Sequence, residues 1–189
     1  FSAGVDTRAF ASYDRDQRRA MVLSSTRMVA RLLSIPVPVV AAVNGHALGA
    51  GFILMLACDY RIATNVDAAK LGVPEAQAGI PFPAGPLEIV RHELAPELLR
   101  QLTLTSAVLN VRELVEARVL DAMCAADDLT PTAIARAASL AAQPAFRKVK
   151  QQIRGGLAQR LAALASSGED AFVGSFTDSD AETKSLNVL

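Results

Sequence analysis

The stretch Val39-Val40-Ala41-Ala42-Val43-Asn44-Gly45-His46-Ala47-Leu48-Gly49-Ala50-Gly51, continued by the apolar run Phe52-Ile53-Leu54-Met55-Leu56-Ala57, decides how the rest of the chain is read. Residues 39–43 are uncharged and rich in valine, the composition of a strand buried on both faces. The glycines after it mark a turn, and the run from residue 52 reads as a helix. The first N–H groups of a helix have no partners within it, so the amides around Ala50 and Gly51 are expected to point out of the turn with the positive end of the helix dipole behind them. Such a place suits a negatively charged oxygen, although a glycine turn can also be only a turn. Phosphate is a poor fit: no Lys-Ser/Thr pair follows, and Leu54 stands where a dinucleotide fingerprint has its third glycine.

A second small-residue turn opens the chain, Phe1-Ser2-Ala3-Gly4-Val5-Asp6. Taken with Val43 to Gly51, with Cys58-Asp59-Tyr60-Arg61-Ile62-Ala63 behind it, and with Leu71-Gly72-Val73-Pro74-Glu75, it resembles the enoyl-CoA hydratase/isomerase (crotonase) family. Each match alone is weak, but their order and spacing are specific, and looser similarity runs on through the rest of the chain. The resemblance implies an α/β fold: a crotonase-like spiral of strand-strand-helix turns over residues 1–125, then a helical region over residues 126–189 that packs on the core and on a neighbouring subunit. It also implies a strand-helix-strand unit ahead of the Phe-Ser-Ala-Gly turn, so the N-terminal part is expected to be missing.

Composition excludes several classes. Lys plus Arg equal Asp plus Glu at 19 each, so no long-range field argues for nucleic acid or an anionic membrane surface. No run of apolar residues is long enough to span a bilayer. Cys58 and Cys124 have no metal-ligand spacing and read as reduced, buried thiols, which points to a reducing compartment, the cytoplasm.

Apolar residues at helical spacing predict a helix over residues 14–33, with Arg15, Arg18 and Arg19 clear of its buried stripe, and residues 7–13 are expected to be a mobile loop. Short strands are expected at residues 59–63 and 70–73. Three prolines between Ile80 and Pro86 predict an ordered loop. Helices follow at residues 87–94, 96–104 and 111–118, the last capped by Asn110, with an extended piece at 119–124. Thr130 is placed as the cap of a helix over residues 131–142, and a final helix over 146–164 has a weak point at Gly155-Gly156.

The chemistry implied by the resemblance concerns a thioester. Its α-protons become acidic only if the enolate oxygen is stabilised, and the two donors carried over by motif position are the backbone N–H groups of Val5 and Ala50. Glu75 is the carried-over acid/base; a glutamate after proline is otherwise a solvated side chain. Ala3, Asp6, Gly49 and Gly51 line the two turns in the resembled family, and Arg8 and Lys150 are the candidates for contacting CoA, although a solvated helix or loop face explains both arginine and lysine equally well. Ile53 stands where hydratases of the family carry a second glutamate. One glutamate can still take a proton from C2 and return it at C4, so a Δ3,Δ2-enoyl-CoA isomerase-like reaction is expected first, with an enoyl-CoA hydratase, another thioester reaction or a non-catalytic acyl-CoA-binding role as alternatives. No cofactor is expected, since coenzyme A arrives as part of the substrate. His46 and His92 read as structural, no Gly-x-Ser-x-Gly elbow is present, and no metal site is predicted. The family habit and a content of 51% hydrophobic residues lead to the expectation of a homotrimer or hexamer.

Overall fold

A computed structural model describes residues 1–177 of the 189. The final part of the expected helical region, residues 178–189, lies outside the described residues. The elements, in chain order, are α1 (Thr7–Ala11), α2 (Arg15–Ser34), β1 (Val40–Val43), β2 (Ala47–Leu48), α3 (Ala50–Leu56), β3 (Tyr60–Thr64), β4 (Leu71–Gly72), α4 (Glu75–Ala78), α5 (Ala84–Glu93), α6 (Pro96–Leu104), β5 (Val108–Leu109), α7 (Val111–Glu116), β6 (Ala122–Cys124), α8 (Leu129–Ala141), α9 (Phe146–Ser167) and α10 (Val173–Thr177).

The strands obey a repeat. Each of two successive units runs strand, strand, helix: β1-β2-α3 and then β3-β4-α4. β1 lies parallel to β3, with Val40 opposite Tyr60 and Val43 opposite Ala63, while β2 lies parallel to β4. The chain therefore coils, laying each unit beside the last. β6 extends the first sheet in the order β1-β3-β6, and β5 closes the second in the order β2-β4-β5. Strand β1 is covered on both faces: Ala41 and Val43 enter the main core, and Val40 and Ala42 pack on Ile62, Leu129 and Ala133 under α8. Short apolar strands of this kind need such double cover.

Helix α3 is the hub. Phe52, Ile53, Met55 and Leu56 are all essentially inaccessible to solvent, and only the face carrying Leu54 is half-buried. The long helices form around it. A reciprocal capping box starts α2, where the Gln17 N–H donates to Asp14 Oδ1 at 2.8 Å and the Asp14 N–H donates to Gln17 Oε1 at 2.9 Å.

Several expectations need correction. Residues 7–11 of the expected loop are helical: Asp6 caps α1 by accepting from the N–H groups of Arg8 and Ala9, and Phe10 anchors it against Val22. A helix of five residues is too short to display a period. Arg18 is not clear of the buried stripe; it is 3% exposed, donates to the Tyr13 carbonyl at 3.0 Å and lies over the Phe10 ring. The proline-rich loop gives way to α5 at Ala84, with Pro86 in the first turn, where a missing N–H breaks no helical hydrogen bond. The exposed N–H groups of that turn are met from a distance, Ala84 donating to Asp170 and Gly85 to Thr26. Thr130 does not cap α8, because a 3-10 turn at Ala126–Asp128 delivers the chain into a helix already begun at Leu129. Gly155-Gly156 does not interrupt α9; burial of Leu157, Ala158 and Leu161 outweighs the roughly 1 kcal/mol that each glycine costs. Cys58 is buried, but Cys124 is only partly so.

Candidate active site

The site is assembled where three turns of chain meet. The opening segment joins the second sheet beside β2: Ser2 and Ala47 form a parallel bridge, the Ser2 N–H donates to the His46 carbonyl at 2.9 Å, and the Leu48 N–H donates to the Ser2 carbonyl at 3.0 Å. The next unit enters through Gly49, whose N–H donates to the Gly72 carbonyl at 3.0 Å. Glu75 begins α4 only three residues after Gly72.

These approaches are close enough to demand glycine. Gly4 has φ +94°, a conformation costly for other residues, and a methyl built on it would lie 2.8 Å from the Leu48 carbonyl oxygen and 3.2 Å from the Ala50 nitrogen. A methyl on Gly51 would stand 2.2 Å from the Ser2 carbonyl oxygen. Gly51 therefore serves to admit the opening segment, whereas the resemblance had set it toward the ligand. One consequence is that the turn carrying the N–H of Val5, directly after Gly4, packs against the N–H of Ala50. Neither is engaged by another group among the described residues. Ser2 contributes a detail that motif reading passed over: its hydroxyl accepts from the Gly4 N–H at 3.2 Å and so shapes the turn. A serine two residues before a turn glycine was the available signal.

Glu75 faces this place. Its Oε1 lies 3.3 Å from where a methyl on Gly49 would be, and its Oε2 is buried with no hydrogen-bond partner among the described residues. Desolvation pushes its carboxyl from 4.5 up to about 7, against a smaller opposing pull from its own backbone N–H. A buried carboxyl without a partner is costly to keep, and such groups cluster where proton transfer is done.

The remaining candidates divide. Ala3 and Val5 are exposed beside the turn, as is Arg8 on α1, whose guanidinium has no ion pair among the described residues. Asp6 is spent on capping α1. Ile53, expected to border the substrate, is 1% exposed and belongs to the hydrophobic core with Phe52, Met55 and Leu56. Lys150 is not brought to the site. Its ammonium donates to Asp59 Oδ2 at 2.6 Å and to the Val37 carbonyl at 3.1 Å, beyond the C-terminal end of α3, whereas Ala50 stands at the N-terminal end. Both histidines are structural in their contacts: His46 Nδ1 accepts from the Lys70 N–H at 3.0 Å, and His92 Nδ1 lies 3.0 Å from the Glu88 carbonyl. No group of His, Cys, Asp and Glu fit to hold a metal occurs among the described residues. Nor is any described helix long and apolar enough to cross a membrane.

Next to Glu75 along the chain, α4, α5, α6 and the loop Ile80-Pro81-Phe82 enclose an open groove of about 580 Å³. Its walls are chiefly apolar, among them Phe82, Leu87, Leu99 and Leu104.

Comparisons with known proteins agree with this architecture. The profile of the enoyl-CoA hydratase/isomerase family matches residues 1–188. The chain is 35% identical over 164 residues to YngF of Bacillus subtilis, which carries the name enoyl-CoA hydratase/isomerase, covering 86% of this chain and 62% of that one. It is 36% identical over 132 residues to the fatty acid oxidation complex subunit alpha of Vibrio parahaemolyticus, covering 68% of this chain but 18% of that much longer one. Among solved structures, an enoyl-CoA hydratase/isomerase family protein from Pseudomonas syringae superposes with a TM-score of 0.79 at 27% identity, covering 88% of this chain and 72% of its own. Human mitochondrial delta3-delta2-enoyl-CoA isomerase superposes with a TM-score of 0.87 at 22% identity, covering 98% of this chain and 73% of its own, a likeness of fold alone.

Proposed function

The chain belongs to the enoyl-CoA hydratase/isomerase family, and from that premise we propose that it moves a proton within an acyl-CoA thioester by a Δ3,Δ2-enoyl-CoA isomerase type of reaction, with Glu75 as its one acid/base. The observation that carries this reading is the Glu75 carboxyl, buried and with one oxygen unpartnered beside Gly49 and the free N–H of Ala50.

The thioester carbonyl oxygen accepts from the N–H groups of Val5 and Ala50. Glu75, as carboxylate, takes a proton from C2, and the electron pair released spreads over the dienolate, with negative charge on the oxygen held by those two donors. Protonated Glu75 then returns the proton at C4; the C3–C4 double bond becomes C2–C3 and the carbonyl re-forms. Each oxyanion donor in such a site is worth roughly 3 kcal/mol when measured by removal. Glu75 must be ionised in the free enzyme, so kcat/KM rises with pH and levels off above about 7. Ile53 offers no proton-handling group, which sets hydration behind isomerisation. Arg8 meets the CoA phosphates, and coenzyme A enters as part of the substrate, with no further cofactor.

In the same reading, residues 1–125 supply the site and the helical region from residue 126 to 177 packs on them and on a neighbouring subunit in a homotrimer or hexamer, working in the reducing environment of the cytoplasm. Light scattering that reports a monomer overturns the assembly.

The test is an ultraviolet assay with a 3-enoyl-CoA. Gain of the conjugated thioester chromophore, reduced about 10² to 10⁴ fold by Glu75→Gln, is the expected result. Turnover untouched by that substitution overturns the reading. Loss of chromophore from a 2-enoyl-CoA would instead identify a hydratase, and silence with both substrates a binding role.

A further inference from the structure

The groove beside α4 carries a pattern that the proton transfer does not use. Ten of its twelve lining residues are uncharged, the other two are Arg91 and Arg100, and no carboxylate lines it. It is joined to the candidate site through the backbone. Its near end begins at Ala76, next to Glu75, and the Ile80 N–H donates to the Glu75 carbonyl at 2.9 Å. The Gln77 N–H donates to Ser106 Oγ at 3.0 Å, which fastens α4 to the end of α6. Along α6 the groove is lined by Leu99, Arg100, Thr103 and Leu104, one face at helical spacing. Arg100 therefore sits about one helical turn, roughly 6 Å along α6, further than Leu104 from the end fastened to α4.

The two guanidinium groups differ. Arg91 has Glu88 Oε1 at 3.5 Å, whereas Arg100 has no hydrogen bond or ion pair among the described residues. An acyl chain leaving the Glu75 end along this groove would pass Ile80, Phe82 and Leu99 and then meet an unpaired planar cation with donors suited to a carboxylate. Building on the thioester reading above, we propose that the groove holds the acyl part of the substrate and that Arg100 reads a carboxylate at its far end, so that the preferred substrates are CoA thioesters of dicarboxylic acids.

The test uses equilibrium binding to the full chain, which needs no turnover. Saturated acyl-CoA probes are compared in pairs of equal length, six, eight and ten carbons, one ending in methyl and the other in carboxylate. At the length that reaches Arg100 the carboxylate-ended probe is expected to bind about tenfold more tightly. That ratio should collapse toward one in Arg100→Gln, be partly kept in Arg100→Lys, and shrink as salt is raised. Circular dichroism checks that the variants fold, as substitution of an exposed residue should allow. Equal or tighter binding of the methyl-ended probe at every length overturns the proposal, as does a preference that survives Arg100→Gln. Failure here is separable from failure of the catalytic reading: isomerisation of a methyl-ended 3-enoyl-CoA that depends on Glu75 preserves the site and removes only the carboxylate preference.

Discussion

At the N-terminal end of α3, half-buried Glu75 keeps its buried Oε2 unpartnered, close to Gly49 and the free N–H of Ala50. At the C-terminal end of the same helix, buried charge is treated in the opposite way. Asp59 accepts from the Val39 N–H at 2.9 Å and from Lys150 Nζ at 2.6 Å, with Arg154 Nε at 3.6 Å. Glu93 is paired with Arg61 and with Arg154, the latter at 3.1 Å. The same cations cap the helix, Arg61 donating to the Leu56 carbonyl at 2.7 Å and Arg154 to the Ala57 carbonyl at 2.9 Å, as cations at a helix C-terminus are placed to do. Only Arg61 Nε lacks a partner there among the described residues. One end is built to hold α9 and β3 to the hub, and the other keeps its polar atoms available.

Removing a carboxylate should therefore have opposite signs at the two ends. Asp59→Ala leaves Lys150 buried without its carboxylate and Arg154 with Glu93 alone, and is expected to destabilise the fold by about 3 to 5 kcal/mol in denaturant titration. A loss below about 1 kcal/mol would mean that this end is solvated and the contrast is wrong. Glu75→Gln should stabilise. The folded-state value of Glu75 is raised from 4.5 to about 7, so between those pH values the native protein binds more protons than the unfolded chain, and the wild type loses stability as pH rises. The variant escapes this, so its advantage is absent below about pH 4.5, grows through that window and levels off above about 7 at no more than about 3 kcal/mol. Thermal unfolding at both extremes measures it, and a variant less stable than wild type at pH 8 breaks the comparison.

Smaller effects sharpen it. Gly51→Ala drives a methyl against the Ser2 carbonyl and should cost about 1 to 3 kcal/mol of stability. Because Ser2 and Gly4 must move, kcat should fall by more than stability alone explains, while Asp59→Ala should spare kcat in the protein that remains folded. Least affected is Arg8→Ala: the side chain is exposed and unpaired, so stability should change by within about 0.5 kcal/mol. Steady-state kinetics should then show KM raised a few fold with kcat kept; unchanged KM removes Arg8 from CoA binding.

Motifs carried much of the fold and part of the site. The strand at β1, the turn at Gly49 and the helix after it were legible because apolar composition and glycine act locally. Glu75, Val5 and Ala50 were picked out by order and spacing, and the structure sets Glu75 against Gly49 and Gly4 against Ala50. Lys150 and Arg18 were misplaced because a charged residue on a helix reads as solvated or ligand-binding unless its distant partner is known, here Asp59 for the one and Phe10 and the Tyr13 carbonyl for the other. Residues 7–11 were misread because a helix of five residues rests on one cap and one buried ring rather than on a period.

By itself, then, the sequence determined the local elements and the motif residues: which segments are apolar enough to be buried, where glycine lets backbones approach, and which glutamate follows the proline. Tertiary structure decided what each charge is for. Pairing, burial and desolvation depend on groups far apart in the chain: the coiling of one strand-strand-helix unit on the next left Glu75 without a partner, and the packing of α9 gave Asp59 two of its three.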